Sequence, residues 1–208
     1  MSFSLSSVVV VGAGTMGAGI AQWFAQQRVP VTLTDANPAQ LEKAHAAIRS
    51  SWAALVDKKK LTAEHVSEIE ALLKTASMDQ LPESTDLVVE AIYENKDAKL
   101  DLFRRLDAHF PAESVFASNT SSFPITELAQ SVTPARRERF VGLHFFNPAT
   151  LMKLVEVIST GPRQAELVRD LYDWFQARGK EPALCADTPG FIVNRVARSF
   201  YGEALRIV

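Results

Sequence analysis

Short apolar runs alternate along the chain with longer stretches in which apolar residues recur every three or four positions. Apolar runs rich in β-branched residues are typical of strands buried on both faces, and the longer spacing is typical of amphipathic helices. The alternation predicts an α/β fold, a Rossmann-type doubly wound sheet that is mainly parallel. The predicted strands lie at residues 8–11, 31–34, 86–91, 114–117, 139–148, 153–158 and 182–186.

The segment between the second and third of these strands predicts a helical hairpin, because it contains two helical patterns in succession. The first helix begins at Asn37-Pro38, a capping residue followed by the residue favoured at the first helical position. The second begins at the capping residue Thr62 and ends near Lys74. The connection carries the lysine run 58–60, which is either a solvated corner or a phosphate-binding corner beside a ligand.

The first strand runs directly into the glycine-rich sequence Gly12-Ala13-Gly14-Thr15-Met16-Gly17, and a helical pattern follows. In this strand–turn–helix context, Gly12 permits the tight turn, Gly14 lets a pyrophosphate approach the backbone, and Gly17 lets the helix pack close to the strand. The free N–H groups of the helix N-terminus, around Thr15 and Met16, are suited to the phosphates. The pattern predicts dinucleotide binding.

Asp35 ends the second strand, 18 residues after Gly17. A carboxylate at about this distance is suited to the hydroxyl groups of the adenosine ribose, and it would repel a 2′-phosphate. We therefore predict NAD rather than NADP as the cofactor. The alternative is a glycine-rich turn of purely structural use, with Asp35 as a helix cap.

Polar residues follow the next two strands. In an open α/β sheet such strand ends border the ligand crevice. Glu94 and Lys99 follow the strand at 86–91, and the small polar residues 118–122 follow the strand at 114–117. Both groups are candidates for ligand contacts, although surface charge and an ordinary helix-capping loop explain them equally well.

His144 and Glu156 each interrupt an apolar strand. If these strands form an antiparallel hairpin centred on Thr150, His144 faces Glu156. A lone charge in such a strand would cost several kcal/mol, whereas an opposed pair satisfies both groups. A carboxylate beside an imidazole fixes its tautomer and stabilises its protonated form, as a general base requires. A structural pair is the alternative.

Composition limits the class of protein. The 208 residues are 47% hydrophobic and 22% charged, as is usual for a globular protein, and the net charge of −2 gives no electrostatic basis for nucleic acid as the main partner. The single Cys185 excludes an internal disulfide framework and a cysteine metal cluster, and we predict no metal site. The N-terminus lacks the basic region of a signal peptide, and no apolar stretch is long enough for a membrane span, so we expect a cytoplasmic protein.

Four motifs together resemble the L-3-hydroxyacyl-CoA dehydrogenases of fatty-acid β-oxidation and related bacterial pathways. They are residues 118–122 (SNTSS), 142–148 (GLHFFNP), 152–157 (MKLVEV) and 188–195 (TPGFIVNR). The resemblance covers the whole chain in order. It implies the NAD-dependent oxidation of a (3S)-3-hydroxyacyl-CoA to the 3-ketoacyl-CoA.

The resemblance also implies roles for particular residues. His144 and Glu156 would be the catalytic pair, and Ser121 and Asn194 would hold the substrate oxygen. Besides the glycine-rich turn, NAD would contact Asp35, Glu94, Lys99, Ser121 and Asn147. Ser51 and Lys58, which are seven positions apart and share one helix face, would help to bind coenzyme A.

The resemblance implies two domains, with residues 1–187 as the NAD-binding domain and 188–208 as the first helix of an all-helical second domain. In this family the second domain closes the active site and forms a homodimer. Two other classes of function remain open. One is a dehydrogenase of small hydroxy acids without coenzyme A, and the other is a non-catalytic NAD-binding or structural protein, like some crystallins of this superfamily.

Overall fold

The computed structural model describes residues 4–207, and they form one eight-stranded sheet in the order β3-β2-β1-β4-β5-β6-β7-β8. The strands are β1 (Val8–Val11), β2 (Val31–Thr34), β3 (Leu73–Ala76), β4 (Leu87–Glu90), β5 (Val115–Ser118), β6 (Phe140–Phe145), β7 (Leu154–Ser159) and β8 (Glu181–Ala186). All neighbouring strands are parallel except β6 and β7, which confirms the mainly parallel sheet.

Helices cover both faces of the sheet. They are α1 (Thr15–Gln26), α2 (Pro38–Asp57), α3 (Ala63–Ala71), α4 (Lys96–His109), α5 (Ile125–Leu128), α6 (Pro134–Arg137), α7 (Ala165–Gln176) and α8 (Val193–Ile207). One apolar core, around Phe24 and Phe175, lies on one face, and a second core, around Phe103 and Phe116, lies on the other. The four valines of β1 are shared between the two cores, which explains why their apolar run is continuous.

The helical hairpin is confirmed, but its predicted end is wrong. Asn37 caps α2 by accepting a hydrogen bond from the Ala39 N–H, and Thr62 caps α3 by accepting one from the His65 N–H. However, α3 ends at Ala71, and residues 73–76 form β3, which pairs with the outer edge of β2. An edge strand of four residues with two exposed positions carries too little apolar pattern to be separated from the helix before it.

The predicted register of β6 and β7 is confirmed. Their antiparallel pairing places His144 opposite Glu156 and Gly142 opposite Ile158. β8 returns parallel to β7, and the chain then enters α8. The apolar side chains along α8 are largely exposed, and Phe200 and Leu205 are 73% and 78% exposed. Among the helices of residues 4–207, none has the length and apolar character that crossing a bilayer requires.

Candidate functional site

The glycine-rich turn has the geometry that each predicted role requires. Gly12 has a φ of +105°, and a Cβ there would lie 2.5 Å from the carbonyl oxygen of Ala91. A Cβ on Gly17 would overlap the carbonyl oxygen of Gly12. A Cβ on Gly14, by contrast, would meet no heavy atom of the described residues within 4 Å, so this backbone is open to a ligand.

The N-terminus of α1 lies in this turn and is free to bind an anion. Within residues 4–207, no side chain forms a capping hydrogen bond at its N-cap residue, Gly14, whereas Asn37, Thr62 and Asn95 cap the helices that follow them. Unpaired N–H groups at the positive end of the helix dipole attract phosphate. The local chain therefore has the geometry that a pyrophosphate site requires.

Asp35 lies beside this turn and fixes it. One oxygen of its carboxylate accepts a hydrogen bond from the Ala13 N–H at 2.7 Å, and the other accepts one from the Asn37 N–H at 2.8 Å. The Gln40 side chain donates to the Ala13 carbonyl oxygen at 2.8 Å. Both polar groups of Ala13 are thus held by residues that follow β2, so hydrogen bonds join the glycine-rich turn to Asp35 and Gln40.

A cleft of about 760 Å³ opens across the carboxyl ends of β1, β2, β4 and β5. Apolar side chains, among them Met78, Ile92 and Leu102, line one part of it and suit a flat aromatic base. The donors and the ribose carboxylate described above therefore fit a dinucleotide. Seven of the predicted cofactor contacts line this cleft: Gly12, Gly14, Thr15, Met16, Asp35, Glu94 and Ser121.

Lys99 is not among the residues that line this cleft, and it is 1% exposed. Its Nζ atom lies 2.5 Å from Oε1 of Glu90 and 3.2 Å from Oε2 of Glu94. Lys99 therefore supports Glu94 from behind rather than facing the cleft. Glu90 is fully buried, and burial raises the pKa of its carboxyl group above the ordinary value.

Glu90 supports the site from the core, and the sequence analysis missed it. It is a lone carboxylate at the end of the apolar run Leu87-Val88-Val89, and the reasoning applied to His144 and Glu156 would have found it. Besides Lys99, it accepts hydrogen bonds from the Ser118 hydroxyl at 2.5 Å and from the Ile92 N–H at 2.8 Å. It therefore joins the ends of β4 and β5.

Glu94 in turn holds the loop that carries Ser121. Its Oε1 atom accepts hydrogen bonds from the Thr120 hydroxyl at 2.5 Å and from the N–H groups of Ser121 at 3.2 Å and Ser122 at 3.1 Å. Partial burial alone would raise its pKa, but these donors and the Lys99 ammonium hold the pKa of Glu94 below its ordinary value. Ser121 is thus fixed at the edge of the cleft.

His144 and Glu156 form a buried pair on the neighbouring strands. Nδ1 of His144 lies 2.6 Å from Oε2 of Glu156, and the imidazole is 7% exposed. Burial alone would raise the pKa of Glu156, but hydrogen bonds from His144 and from the N–H groups of Val193 and Ile192 hold it below its ordinary value. A carboxylate that stays ionised keeps the proton of neutral His144 on Nδ1 and leaves Nε2 as an acceptor.

The other oxygen of Glu156 holds the start of α8. Oε1 accepts hydrogen bonds from the Ile192 and Val193 N–H groups, both at 2.9 Å. Asn194 follows directly, so the same carboxylate determines where this residue lies and how His144 is oriented. Hydrogen bonds thus hold the loop of Ser121 to Glu94, which follows β4, and the start of α8, with Asn194, to Glu156 of β7. His144 lies between them on β6.

The remaining predicted site residues lie outside the cleft. Asn147 is exposed on the connection between β6 and β7. Ser51 is exposed on α2, and its hydroxyl accepts a hydrogen bond from the Gln22 amide at 3.0 Å. Lys58 is exposed at the tip of the helical hairpin.

Burial raises the pKa of Cys185 to about 12, so its thiol is an unreactive core group.

Comparison with known proteins finds a family whose sequence and fold are similar to those of this chain. The family model described as 3-hydroxyacyl-CoA dehydrogenase, NAD binding domain, matches residues 7–188. The mitochondrial hydroxyacyl-coenzyme A dehydrogenase of Sus scrofa is 44% identical in an alignment of 206 positions that covers 96% of this chain and 65% of that enzyme. This chain therefore spans less than two thirds of that relative.

Solved structures show the same likeness. The crystal structure of 3-hydroxybutyryl-CoA dehydrogenase from Escherichia coli K12 matches with a TM-score of 0.93 at 41% identity, over 98% of this chain and 43% of that one. The (S)-3-hydroxybutyryl-CoA dehydrogenase from Ralstonia eutropha matches with a TM-score of 0.89 at 37% identity, over 97% of this chain and 70% of that one.

Proposed function

Because this chain belongs to the 3-hydroxyacyl-CoA dehydrogenase family, through its NAD-binding domain, we propose that it oxidises (3S)-3-hydroxyacyl-CoA thioesters to 3-ketoacyl-CoA. The observation that carries the proposal is the buried pair of His144 and Glu156 on strands next to a cleft that fits a dinucleotide. NAD, when bound, supplies the hydride acceptor of this reaction. The reverse reduction uses the same groups.

In this proposal His144 is the general base. Its Nδ1 is engaged by Glu156 at 2.6 Å, so Nε2 takes the proton from the substrate hydroxyl group. Glu156 then stabilises the imidazolium, since its lowered pKa keeps it ionised while the proton is held. Removal of a proton by a positioned side chain contributes about 10²- to 10⁴-fold to a rate.

Ser121 and Asn194 are proposed to position the oxygen at C3. Ser121 lies at the edge of the dinucleotide cleft, and Asn194 follows the backbone that Glu156 binds. The hydroxyl and the amide can each donate a hydrogen bond to this oxygen. Glu94, Lys99 and Asn147 are proposed to serve NAD, with Lys99 acting through Glu94.

Ser51 and Lys58 are proposed to contact coenzyme A from the helical hairpin. The lysine run at its tip has the charge to attract the phosphates of coenzyme A.

Two statements about domain organisation stay predictions. One is a boundary at residue 187 between the NAD-binding domain and a helical domain, and the other is a homodimer formed through such a domain. The cytoplasmic location is also a prediction from the sequence, and the relative from Sus scrofa is mitochondrial by name.

The test is to mix the chain with NADH and acetoacetyl-CoA and to follow the absorbance of NADH. Free acetoacetate in place of the thioester tests the alternative, a dehydrogenase of small hydroxy acids. Steady oxidation with the thioester alone supports the proposal, and equal oxidation with the free acid favours the alternative. NADH binding without oxidation in either assay contradicts the proposal.

A further inference from the structure

The connection between β8 and α8 is tied to the sheet at both ends. At its start, the Asp187 carboxylate accepts hydrogen bonds from the N–H groups of Ile125 and Thr126, both at 2.8 Å, and from the Thr126 hydroxyl at 2.7 Å. At its end, the Glu156 carboxylate accepts hydrogen bonds from the N–H groups of Ile192 and Val193, where α8 begins. The residues between these anchors therefore have little freedom to move.

Phe191 lies between the anchors in a backbone conformation that few residues adopt. Its φ is +47°, in the left-handed region that is unfavourable for a side chain with a Cβ, and Gly190 before it has a φ of +81°. The Phe191 N–H donates to the Thr188 carbonyl oxygen at 2.9 Å. A bulky residue persists in such a conformation only where its surroundings determine its position.

This conformation carries the Phe191 ring into the core beside the catalytic pair. The side chain is 4% exposed, and its ring centroid lies 5.7 Å from that of the His144 imidazole. The ring of Phe146 lies 4.6 Å from the same imidazole, with centroid taken to centroid. Two aromatic rings therefore contact the imidazole that Glu156 holds at Nδ1.

We propose that Phe191 is a positioning residue for His144. The hydrogen bond at Nδ1 favours one orientation of the imidazole, but it is a single contact, and a half-turn about the Cβ–Cγ bond would break it by exchanging Nδ1 for a carbon atom. Packing against Phe191 and Phe146 opposes this rotation and keeps Nε2 directed to the substrate. The inference rests on the proposed function only in taking His144 as the proton acceptor.

The experiment compares Phe191→Leu with Phe110→Leu. Both phenylalanines are buried in the same core, but among the described residues Phe110 has ring contacts only with His109 and Phe116. Leucine has a Cβ like phenylalanine, so the backbone conformation at residue 191 stays equally unfavourable and only the ring is lost. Unfolding temperatures of the two variants show how much of any effect is loss of stability.

The first readout is the ring nitrogen spectrum of the ¹⁵N-labelled protein by NMR, which needs no turnover. We expect wild-type His144 to be a single Nδ1–H tautomer, Phe191→Leu to show a mixture of tautomers, and Phe110→Leu to match the wild type. His45 and His65 are internal controls in both variants, whereas His109, whose ring contacts Phe110, is a control only in Phe191→Leu.

The second readout is steady-state kinetics with acetoacetyl-CoA. We expect kcat to fall about tenfold in Phe191→Leu with KM and NADH affinity nearly unchanged, since only the base is misplaced. An unchanged His144 spectrum, or equal losses in both leucine variants, would overturn the inference. If the wild-type chain does not turn over, the proposed function fails, and the NMR comparison still decides the role of Phe191.

Discussion

Lys99 and Glu90 form an ion pair of 2.5 Å in which both side chains are almost completely buried. The pair links the start of α4 to the end of β4, and through Glu94 it reaches the loop that carries Ser121. A buried ion pair of this kind contributes little by itself, but either partner without the other leaves an uncompensated charge in the core. We therefore expect the loss of one charge among Glu90, Lys99 and Glu94 to weaken the interactions of the others.

Removing one member of this pair should destabilise the fold more than removing both. We expect Glu90→Leu to lower the free energy of unfolding by about 3 kcal/mol, because Lys99 then keeps only the partly exposed Glu94 as a partner. The double variant Glu90→Leu/Lys99→Met should lose less than Glu90→Leu alone, because it leaves no uncompensated charge in the core. Urea unfolding of the four proteins measures this, and additive losses would contradict the coupling.

Two glycines of the same turn should respond oppositely to alanine. Gly17→Ala places a Cβ against the Gly12 carbonyl oxygen, so we expect a large loss of stability. Gly14→Ala has room for the Cβ and should unfold as the wild type does. It should bind NADH at least about tenfold more weakly, because the added Cβ keeps the pyrophosphate away from the backbone. Thermal unfolding and fluorescence titration with NADH separate the two effects. Normal NADH affinity in Gly14→Ala would argue against the phosphate site.

Asp35 should determine the choice of cofactor. We expect Asp35→Ala to weaken NADH binding more than NADPH binding, because the carboxylate that would repel a 2′-phosphate is gone. The loss of its bond to the Ala13 N–H should lower the affinity for both dinucleotides somewhat. Dissociation constants for NADH and NADPH check this, and an unchanged ratio would remove the basis for preferring NAD.

His144→Gln should separate chemistry from binding. Glutamine can still hydrogen-bond to Glu156 but cannot take a proton, so we expect turnover to fall by about 10³-fold or more. NADH affinity should be nearly intact, since His144 is not among the residues that line the dinucleotide cleft. Rate assays and NADH titration on the same preparation test this. Parallel losses in both would mean that His144 is structural.

Acid should destabilise the protein through Glu94 and Glu156. Both have a pKa below the ordinary value of 4.5, so the stabilisation they give is present above that pH and is lost as the pH falls through the lowered values. Between pH 6 and pH 3, we expect the free energy of unfolding to fall less in Glu94→Gln than in the wild type. The difference between the two proteins should be a fraction of a kcal/mol. Urea unfolding at the two pH values measures this, with the exposed Glu113→Gln as the control.

The local pattern of the sequence was enough for the fold class, the glycine-rich turn and the opposition of His144 and Glu156. Each of these depends on neighbours in sequence: a β-branched run, a fixed glycine spacing, and a hairpin whose register follows from its centre. The edge strand β3 was not predicted, because two of its four residues are exposed and the strand therefore has almost no apolar pattern. The sequence also indicated Asp35 at the end of β2, since its distance from the turn is a count along the chain.

Only the tertiary structure decided which groups act together. That Lys99 pairs with Glu90, that Glu90 binds Ser118 on the next strand, and that Glu156 binds the start of α8 are contacts between residues 9 to 37 positions apart. Such contacts depend on which strands and helices pack together, and the apolar periodicity of one element does not specify its partners. The left-handed backbone of Phe191 is likewise imposed by its surroundings, because phenylalanine has no preference for it.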